Sequence, residues 1–254
     1  MIIKNEIPIL EFDTEKSAVL NPDHEKLPIK LPERAVFAFL GDEIDIYAER
    51  TGAKRVVHFE SATKNYPIYI TEYKGQSIVL CQAPVGASAS AQIMDWLIAY
   101  GVRKIISAGS CGVLSDIEEN EFLIPYTCLR DEGTSYHYLP PSRYVDADKT
   151  AIEAIEKALN RLGISSRKIK TWSTDGFYRE TKEKVTYRRG EGCETVDMEC
   201  SALCAVAKMR GATFGMLLYS ADTLASLDSY LERSWGSDAK EKALTICLEA
   251  ISLL

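Results

Sequence analysis

Two carboxylates flank a methionine just before an apolar, helix-like run. Asp197 and Glu199 lie on either side of Met198, and the run "CSALCAVAKMRG" follows from Cys200. Acids at such a place suit three kinds of chemistry: stabilising the positive end of a helix, binding a metal ion, or accepting hydrogen bonds from a substrate. The residues of this stretch alone leave the three interpretations open.

Four further clusters of glycine, serine, aromatic and acidic residues follow strand-like apolar runs. Each alone is typical of an ordinary turn or helix cap. In α/β sheets, however, binding sites gather at the carboxyl ends of the strands. The sequence therefore predicts one shared site built from the Asp197–Glu199 stretch together with Gly41–Glu43, Gly109–Gly112, Asp175–Tyr178 and Ser220–Asp222.

Strand-like and helix-like patterns alternate along the chain, which predicts a single α/β domain with layered helices and sheet. Residues 1–33 are rich in Pro, Glu and Lys, and we expect an N-terminal arm there, followed by the folded domain at 34–254. Apolar and polar residues alternate on both sides of Lys74 and Gly75, which predicts a β-hairpin that turns at these two residues. A helix is expected next, with Ser88 or Ser90 as its N-cap.

The composition limits the partners of the chain. Its 254 residues carry a net charge of −7, so we expect no general attraction to nucleic acid or to anionic membranes. No apolar run reaches the length of about 18 residues that a membrane span needs. The N-terminal stretch is broken by charges and a proline, unlike a signal peptide, and we expect a cytoplasmic protein.

Cysteine and histidine do not occur at metal-ligand spacings. The seven cysteines include no CxxC pair, and we expect them to be reduced thiols, with Cys200 and Cys204 as packing residues of a helix. The three histidines, His24, His58 and His137, are scattered. The sequence therefore predicts neither a metal site nor a cofactor.

Five stretches occur in the order and approximate spacing of a known family: "LGDE" at 40–43, "ISAGSCGVL" at 106–114, "STDGFY" at 173–178, "VDMECSAL" at 196–203 and "YSADT" at 219–223. With them the chain resembles the nucleoside phosphorylase-I family, which includes purine nucleoside phosphorylases, uridine phosphorylases and methylthioadenosine nucleosidases. The resemblance implies a three-layer sandwich around a central mixed, partly barrel-like sheet. It also implies a homodimer, trimer or hexamer that binds a nucleoside and phosphate.

The resemblance assigns the sugar-binding residues. Glu199 corresponds to a glutamate that accepts hydrogen bonds from the ribose diol, and Met198 to a methionine that packs beneath the sugar. Relatives usually carry Glu where this chain has Asp197, so substrate contact and stabilisation of the helix N-terminus both remain open for this residue. Phe177 corresponds to an aromatic residue that stacks on base or sugar; the alternative is a core phenylalanine.

The base preference rests on Asp222. A leaving purine anion takes a proton at N7, and Asp222 corresponds to the proton-donating aspartate of purine-specific members. Uridine phosphorylases generally lack an acid there, which favours purine nucleosides. The stretch "RDEGTSYHYLPPSRY" at 130–144 instead resembles a uridine phosphorylase-like branch, but Thr181 and Glu183 stand where its members read uracil with Gln and Arg.

The phosphate site departs most from the family pattern. Gly41, Ser110 and, from a neighbouring subunit, Lys64 are the expected phosphate ligands. Asp45 and Ser107 replace two arginines of the family. The loss of two guanidinium groups beside a dianion is not a conservative change.

Three hypotheses follow from these replacements. Other cations, with Arg34, Arg130 and Arg179 as candidates, hold phosphate, and the enzyme is a phosphorylase, a pentosyltransferase that releases ribose 1-phosphate. Alternatively, water replaces phosphate and the enzyme is a nucleosidase. The third hypothesis is a protein that binds nucleosides without turning them over. A neighbouring chain completes the pocket in these expectations, and His24 is a candidate contributor.

Overall fold

Ten strands form one mixed sheet in the computed structural model, which describes residues 2–254. In chain order the strands are β1 (Arg34–Ala38), β2 (Lys54–Glu60), β3 (Asn65–Tyr73), β4 (Gln76–Gln82), β5 (Lys104–Val113), β6 (Phe122–Asp131), β7 (Tyr144–Asp146), β8 (Ser166–Thr174), β9 (Thr195–Asp197) and β10 (Thr213–Thr223). The helices are α1 (Glu43–Thr51), α2 (Ala87–Ala99), α3 (Lys149–Arg161), α4 (Lys182–Gly190), α5 (Cys200–Arg210) and α6 (Lys240–Ile251).

Part of the sheet closes on itself. β5 pairs with β9 and β10, β10 with β6, β6 with β8, and β8 with β9, so these five strands make a closed ring. Strands β1, β4, β3 and β2 continue the sheet outward from β5, and β7 pairs with β6. This confirms the predicted mixed sheet with barrel-like curvature.

The helices form two layers against the sheet. α3 packs on α6, which also contacts α1, while α2 packs on α5. The three-layer α/β prediction for a single domain is therefore confirmed. Its core is apolar and continuous across β1, β4, β5, β10 and the inner faces of these helices.

Local sequence signals explain several element ends. α1 ends at Gly52, which adopts a left-handed conformation with φ of 69°. The hairpin of β3 and β4 turns at Lys74 and Gly75, as predicted, and both have positive φ. The predicted N-cap of α2 is wrong: the cap is Gly86, and the hydroxyl of Ser90 instead donates to the Gly86 carbonyl inside the helix at 2.9 Å.

The N-terminal arm is held by polar contacts, although a short 3-10 turn at Pro8–Leu10 is the only regular element among residues 2–33. The indole of Trp96 donates to Glu25 at 3.0 Å, and Arg210 donates to the Lys16 carbonyl at 2.7 Å. The arm therefore lies over α2 and α5. Among residues 2–254, no helix combines the length and the apolar character that crossing a bilayer requires.

The cysteines are free and buried. Cys128, Cys200 and Cys204 place their Sγ atoms within 4.8 Å of one another in the core between β6 and α5. Cys200 and Cys204 thus pack as the sequence predicts.

Candidate active site

A cleft of about 390 Å³ opens at the carboxyl ends of β5, β8 and β10. It brings together six predicted site residues: Ser110, Phe177, Asp197, Met198, Glu199 and Asp222. These residues come from four separate stretches of the chain, and the parallel strands β5 and β10 end at the same edge. Four of the five clusters that the sequence predicts to form one site therefore contribute to the lining, and Gly41–Glu43 does not.

Glu199 is a buried carboxylate at the start of α5. Its side chain is at the N-cap position, and the residue is 7% exposed. The Gly86 amide at the start of α2 donates to Glu199 Oε1 at 2.6 Å, which fixes the carboxylate at the cleft. Burial and then the negative charge of Asp197 raise the pKa of Glu199 to about 8.

Asp197 is fully engaged by protein donors. Its Oδ1 accepts from the hydroxyls of Thr171 and Ser173, both at 2.9 Å. Its Oδ2 accepts from the backbone amides of Glu199 and Cys200, at 2.8 and 2.6 Å. Burial raises the pKa of Asp197, and the four hydrogen bonds oppose that shift. The arrangement ties the beginning of α5 to β8 and orients Glu199.

Asp222 lies at the end of β10 in a tight space. It is 6% exposed, and burial raises its pKa. A Cβ atom on Gly112 would lie 3.3 Å from Asp222 Oδ1, 2.9 Å from Leu224 Cδ1 and 3.0 Å from Val196 Cγ1. Glycine at 112 therefore leaves the room in which the Asp222 carboxyl sits.

A second acid near Asp222 escaped the sequence reasoning. Glu180 follows a 3-10 turn at Phe177–Arg179 and lines the same cleft. Burial and then the negative charge of Asp222 raise the pKa of Glu180 to about 7. The only sequence signal was an acid shortly after a strand end, which is too common to single out.

Phe177 forms part of an aromatic wall. It is 42% exposed, which excludes the alternative of a core phenylalanine. The ring of Tyr178, 92% exposed, packs against it edge-on with 5.1 Å between the ring centroids. Trp235, which the sequence analysis also missed, contributes a further aromatic ring to the lining. These rings offer flat apolar surface to a planar ligand.

The ammonium of Lys240 lies next to the turn that follows β1. Gly41 is left-handed there, with φ of 62°, and a Cβ atom on it would lie 3.7 Å from the ammonium of Lys240. Lys240 is the first residue of α6, at the positive end of that helix. Gly41 lies two residues beyond Phe39, which lines the cleft together with Ser110.

Asp45 and Ser107, the two positions where the resemblance implies arginine, contribute no positive charge. Asp45 accepts a hydrogen bond from the Tyr69 hydroxyl at 2.8 Å, and Ser107 is fully buried with its hydroxyl unpartnered. Lys64 is exposed at the turn between β2 and β3, with its ammonium 5.4 Å from the centre of the Tyr66 ring. Within one chain Lys64 is thus outside the cleft lining.

The candidate replacement arginines are also outside the cleft lining. Arg34 begins β1, at the end of that strand opposite to the site, beside Glu33. Arg130 donates to oxygens of the loop 135–142, and Arg179 is exposed in its turn. Among the described residues, the cleft lining holds four carboxylates and no Lys, Arg or His.

The phosphorylase superfamily model matches residues 33–252 of the chain. The chain belongs to the phosphorylase superfamily. It is 25% identical over 203 residues to a guanosine phosphorylase of Halorubrum lacusprofundi, a match that covers 75% of this chain and 82% of the relative. It is 27% identical over 185 residues to a DeoD-type purine nucleoside phosphorylase of Actinobacillus pleuropneumoniae, covering 70% and 72%.

Solved structures share the fold. A uridine phosphorylase from Vibrio fischeri superposes with a TM-score of 0.76 and 22% identity, over 88% of this chain and 95% of the other. An AMP nucleosidase from Bacteroides thetaiotaomicron superposes with a TM-score of 0.70 and 21% identity, over 87% and 88%. Phosphorylases and a nucleosidase thus share this architecture, and superfamily membership alone does not choose between phosphate and water as the acceptor.

Proposed function

We propose that the protein cleaves the N-glycosidic bond of purine nucleosides with phosphate, releasing the free base and ribose 1-phosphate. The observation that carries this proposal is the meeting of Glu199 and Asp222, two buried carboxyl groups from separate elements, in one cleft with an aromatic wall. The cleft volume of about 390 Å³ suits a ligand of nucleoside size.

Glu199 is the sugar-binding group of this proposal. A carboxylate accepts hydrogen bonds from both hydroxyls of a cis-diol, and the bond from Gly86 holds it in position before substrate binds. Its negative charge also favours the positive charge that develops on the ribose as the bond to the base breaks. Met198 packs beneath the sugar, and Asp197 positions Glu199 from behind through the α5 amides.

Asp222 is the general acid. As the bond between C1′ and N9 breaks, its electron pair moves onto the base, and the proton of the Asp222 carboxyl passes to N7. Burial supports this role, since it raises the pKa of Asp222 and so keeps more of the group protonated. Phe177 stacks on the base or the sugar.

In this proposal Gly41, Ser110 and Lys240 bind the phosphate that accepts the ribose. The turn at Gly41 offers backbone amides, Ser110 offers an exposed hydroxyl, and Lys240 adds the charge that Asp45 and Ser107 lack. We expect Lys240→Ala to raise the KM for phosphate about tenfold or more, with the KM for nucleoside little changed. Lys242→Ala, an exposed lysine of the same helix, is the matched control and should leave both values unchanged.

We also propose a homo-oligomer in which a neighbouring subunit adds to this phosphate site, with Lys64 and His24 as candidates. Light scattering on the purified protein gives the subunit number, and activity should fall when dilution dissociates the assembly. A fully active monomer would exclude a contribution from the neighbour.

A hydrolytic nucleosidase is the second candidate. It is favoured by the cleft lining, which is acidic and lacks cations among the described residues. Uridine phosphorolysis is less well supported, because Thr181 and Glu183 stand in place of the uracil-reading pair.

One assay separates these candidates. The protein is incubated with adenosine, inosine, guanosine and uridine, with and without phosphate, and base release is followed by chromatography. Phosphate-dependent release of purine bases supports the phosphorylase, and equal rates without phosphate select the nucleosidase. No base release from any nucleoside would refute both.

A further inference from the structure

Three cysteines from distant parts of the chain meet between β6 and α5. Cys128 lies on β6, and Cys200 and Cys204 lie on α5. Their Sγ atoms all lie within 4.8 Å of one another, and the Sγ atoms of Cys128 and Cys200 are 3.2 Å apart. The sequence gave no sign of this group, because 72 residues separate Cys128 from Cys200. The proposed cleavage of nucleosides uses none of the three thiols.

The fold brings the three thiols to one place. Cys200 and Cys204 are four residues apart, so α5 carries both on the same face. The two zinc-binding histidines of the H-E-x-x-H motif have the same spacing on their helix. α5 packs on β6, and this strand supplies the third thiol.

The separation of the sulfur atoms suits a metal ion. A metal–thiolate bond is about 2.3 Å long, so three thiolates around one ion in a plane place their sulfur atoms about 4 Å apart. Since no two of the Sγ atoms are more than 4.8 Å apart, no pair has to close by more than about 1 Å. Rotations of the cysteine side chains therefore suffice to form the site.

The surroundings of the thiols select the kind of ion. Cys128, Cys200 and Cys204 belong to the main apolar core, with exposures of 0%, 0% and 3%. Among the described residues, no His, Asp or Glu joins the group. Zinc takes a fourth ligand, which is a water molecule where the protein supplies only three. Thiolates select soft ions such as Cu(I), which three sulfur ligands satisfy in a dry site.

The site has a source of positive charge and a route of entry. Cys200 is the first residue of α5, where the positive end of the helix favours a thiolate. Cys204 lines a small cavity of about 30 Å³. Its charged lining residues are Asp146, Asp148 and Lys208. A cavity of this size admits a particle as large as a water molecule, so an ion can reach Cys204 through it.

We propose that the thiolates of Cys128, Cys200 and Cys204 together bind one Cu(I) ion. Each thiol that becomes a ligand releases its proton to solvent. The copper keeps its oxidation state, so binding needs no electron donor or acceptor. This site is independent of the proposed cleavage reaction, although it adjoins the cleft because Glu199 directly precedes Cys200.

The test is a competition for copper. The reduced protein is titrated under nitrogen with Cu(I) held by the coloured chelator bicinchoninate, and the wild type should withdraw one Cu(I) per chain. Cys204→Ala should weaken binding about 100-fold or more, because it removes a ligand rather than an outer partner of one. Cys247→Ala removes a buried thiol of α6 outside the group, and this matched control should bind copper as the wild type does.

A second measurement needs no variant. The X-ray absorption spectrum of the copper-loaded wild type should show three sulfur neighbours at about 2.3 Å. The loaded protein should also melt at a higher temperature than the metal-free protein, because only the folded chain brings the three thiols together. No copper withdrawn from the chelator, unchanged binding in Cys204→Ala, or nitrogen and oxygen neighbours in the spectrum would each overturn the proposal. Displacement of Cu(I) by Zn(II) at equal concentration would overturn the choice of ion.

Discussion

Replacing Asp197 with asparagine tests whether this buried acid sets the charge of Glu199. Burial and the Asp197 carboxylate together raise the pKa of Glu199 to about 8, so only about a tenth of it is ionised at pH 7. The diol is bound by the ionised form. On the acid limb of the pH profile, kcat/KM should therefore rise about tenfold per pH unit until the pH reaches this pKa.

The substitution removes the charge and keeps most of the contacts. The amide oxygen of asparagine still accepts from the α5 amides, and its NH2 group faces the hydroxyls of Thr171 and Ser173, which can turn to accept. We expect a stability loss of roughly 1–2 kcal/mol, since only the charge-assisted part is lost. Asp197→Ala leaves two buried amides without acceptor and should cost about 2–6 kcal/mol.

The pH profile is the decisive readout. Without the neighbouring negative charge the pKa of Glu199 falls, so the acid limb of kcat/KM for a purine riboside should move to lower pH by about one unit. Glu183→Gln, an exposed acid of α4, should leave the acid limb in place. An acid limb that stays fixed or moves to higher pH in Asp197→Asn would refute the proposed electrostatic coupling.

Three further substitutions probe the site. Glu199→Gln should cost about 2–4 kcal/mol of transition-state stabilisation for ribosides; an equal loss on 2′,3′-dideoxynucleosides would contradict the diol contact. Gly112→Ala brings a Cβ atom to 2.9 Å from Leu224 Cδ1 and 3.3 Å from Asp222 Oδ1. Because the Asp222 carboxyl would then be displaced, kcat for purine nucleosides should fall about tenfold or more. An unchanged kcat would show that Gly112 does not set the position of the Asp222 carboxyl. Asp222→Asn should slow purine nucleosides far more than ribosides with good leaving groups, and equal losses of kcat would argue against proton donation.

Structural elements that depend on a few neighbouring residues could be predicted from the sequence. The strand, turn and helix from Arg34 to Gly52 follow from an apolar run and two glycines, and the hairpin follows from Lys74 and Gly75. The Asp197–Glu199 stretch alone left three interpretations open, and the four other clusters at strand ends were needed to predict a binding site there.

Features that depend on residues far apart in the chain could not be predicted from the sequence. Gly86, the N-cap of α2, has a φ of 103° and donates its amide to Glu199, 113 residues away in the chain. The closed ring of strands requires β5 to pair with β9 and β10 at once. Glu180 is significant only because the fold brings it near Asp222, 42 residues later.

A crystal structure of Asp222→Asn soaked with adenosine and phosphate tests the central claim most directly. The account predicts that the Glu199 carboxylate lies within hydrogen-bonding distance of both O2′ and O3′, with N7 of the base facing residue 222. A nucleoside bound outside this cleft, or bound within it with its ribose turned away from Glu199, would contradict the account.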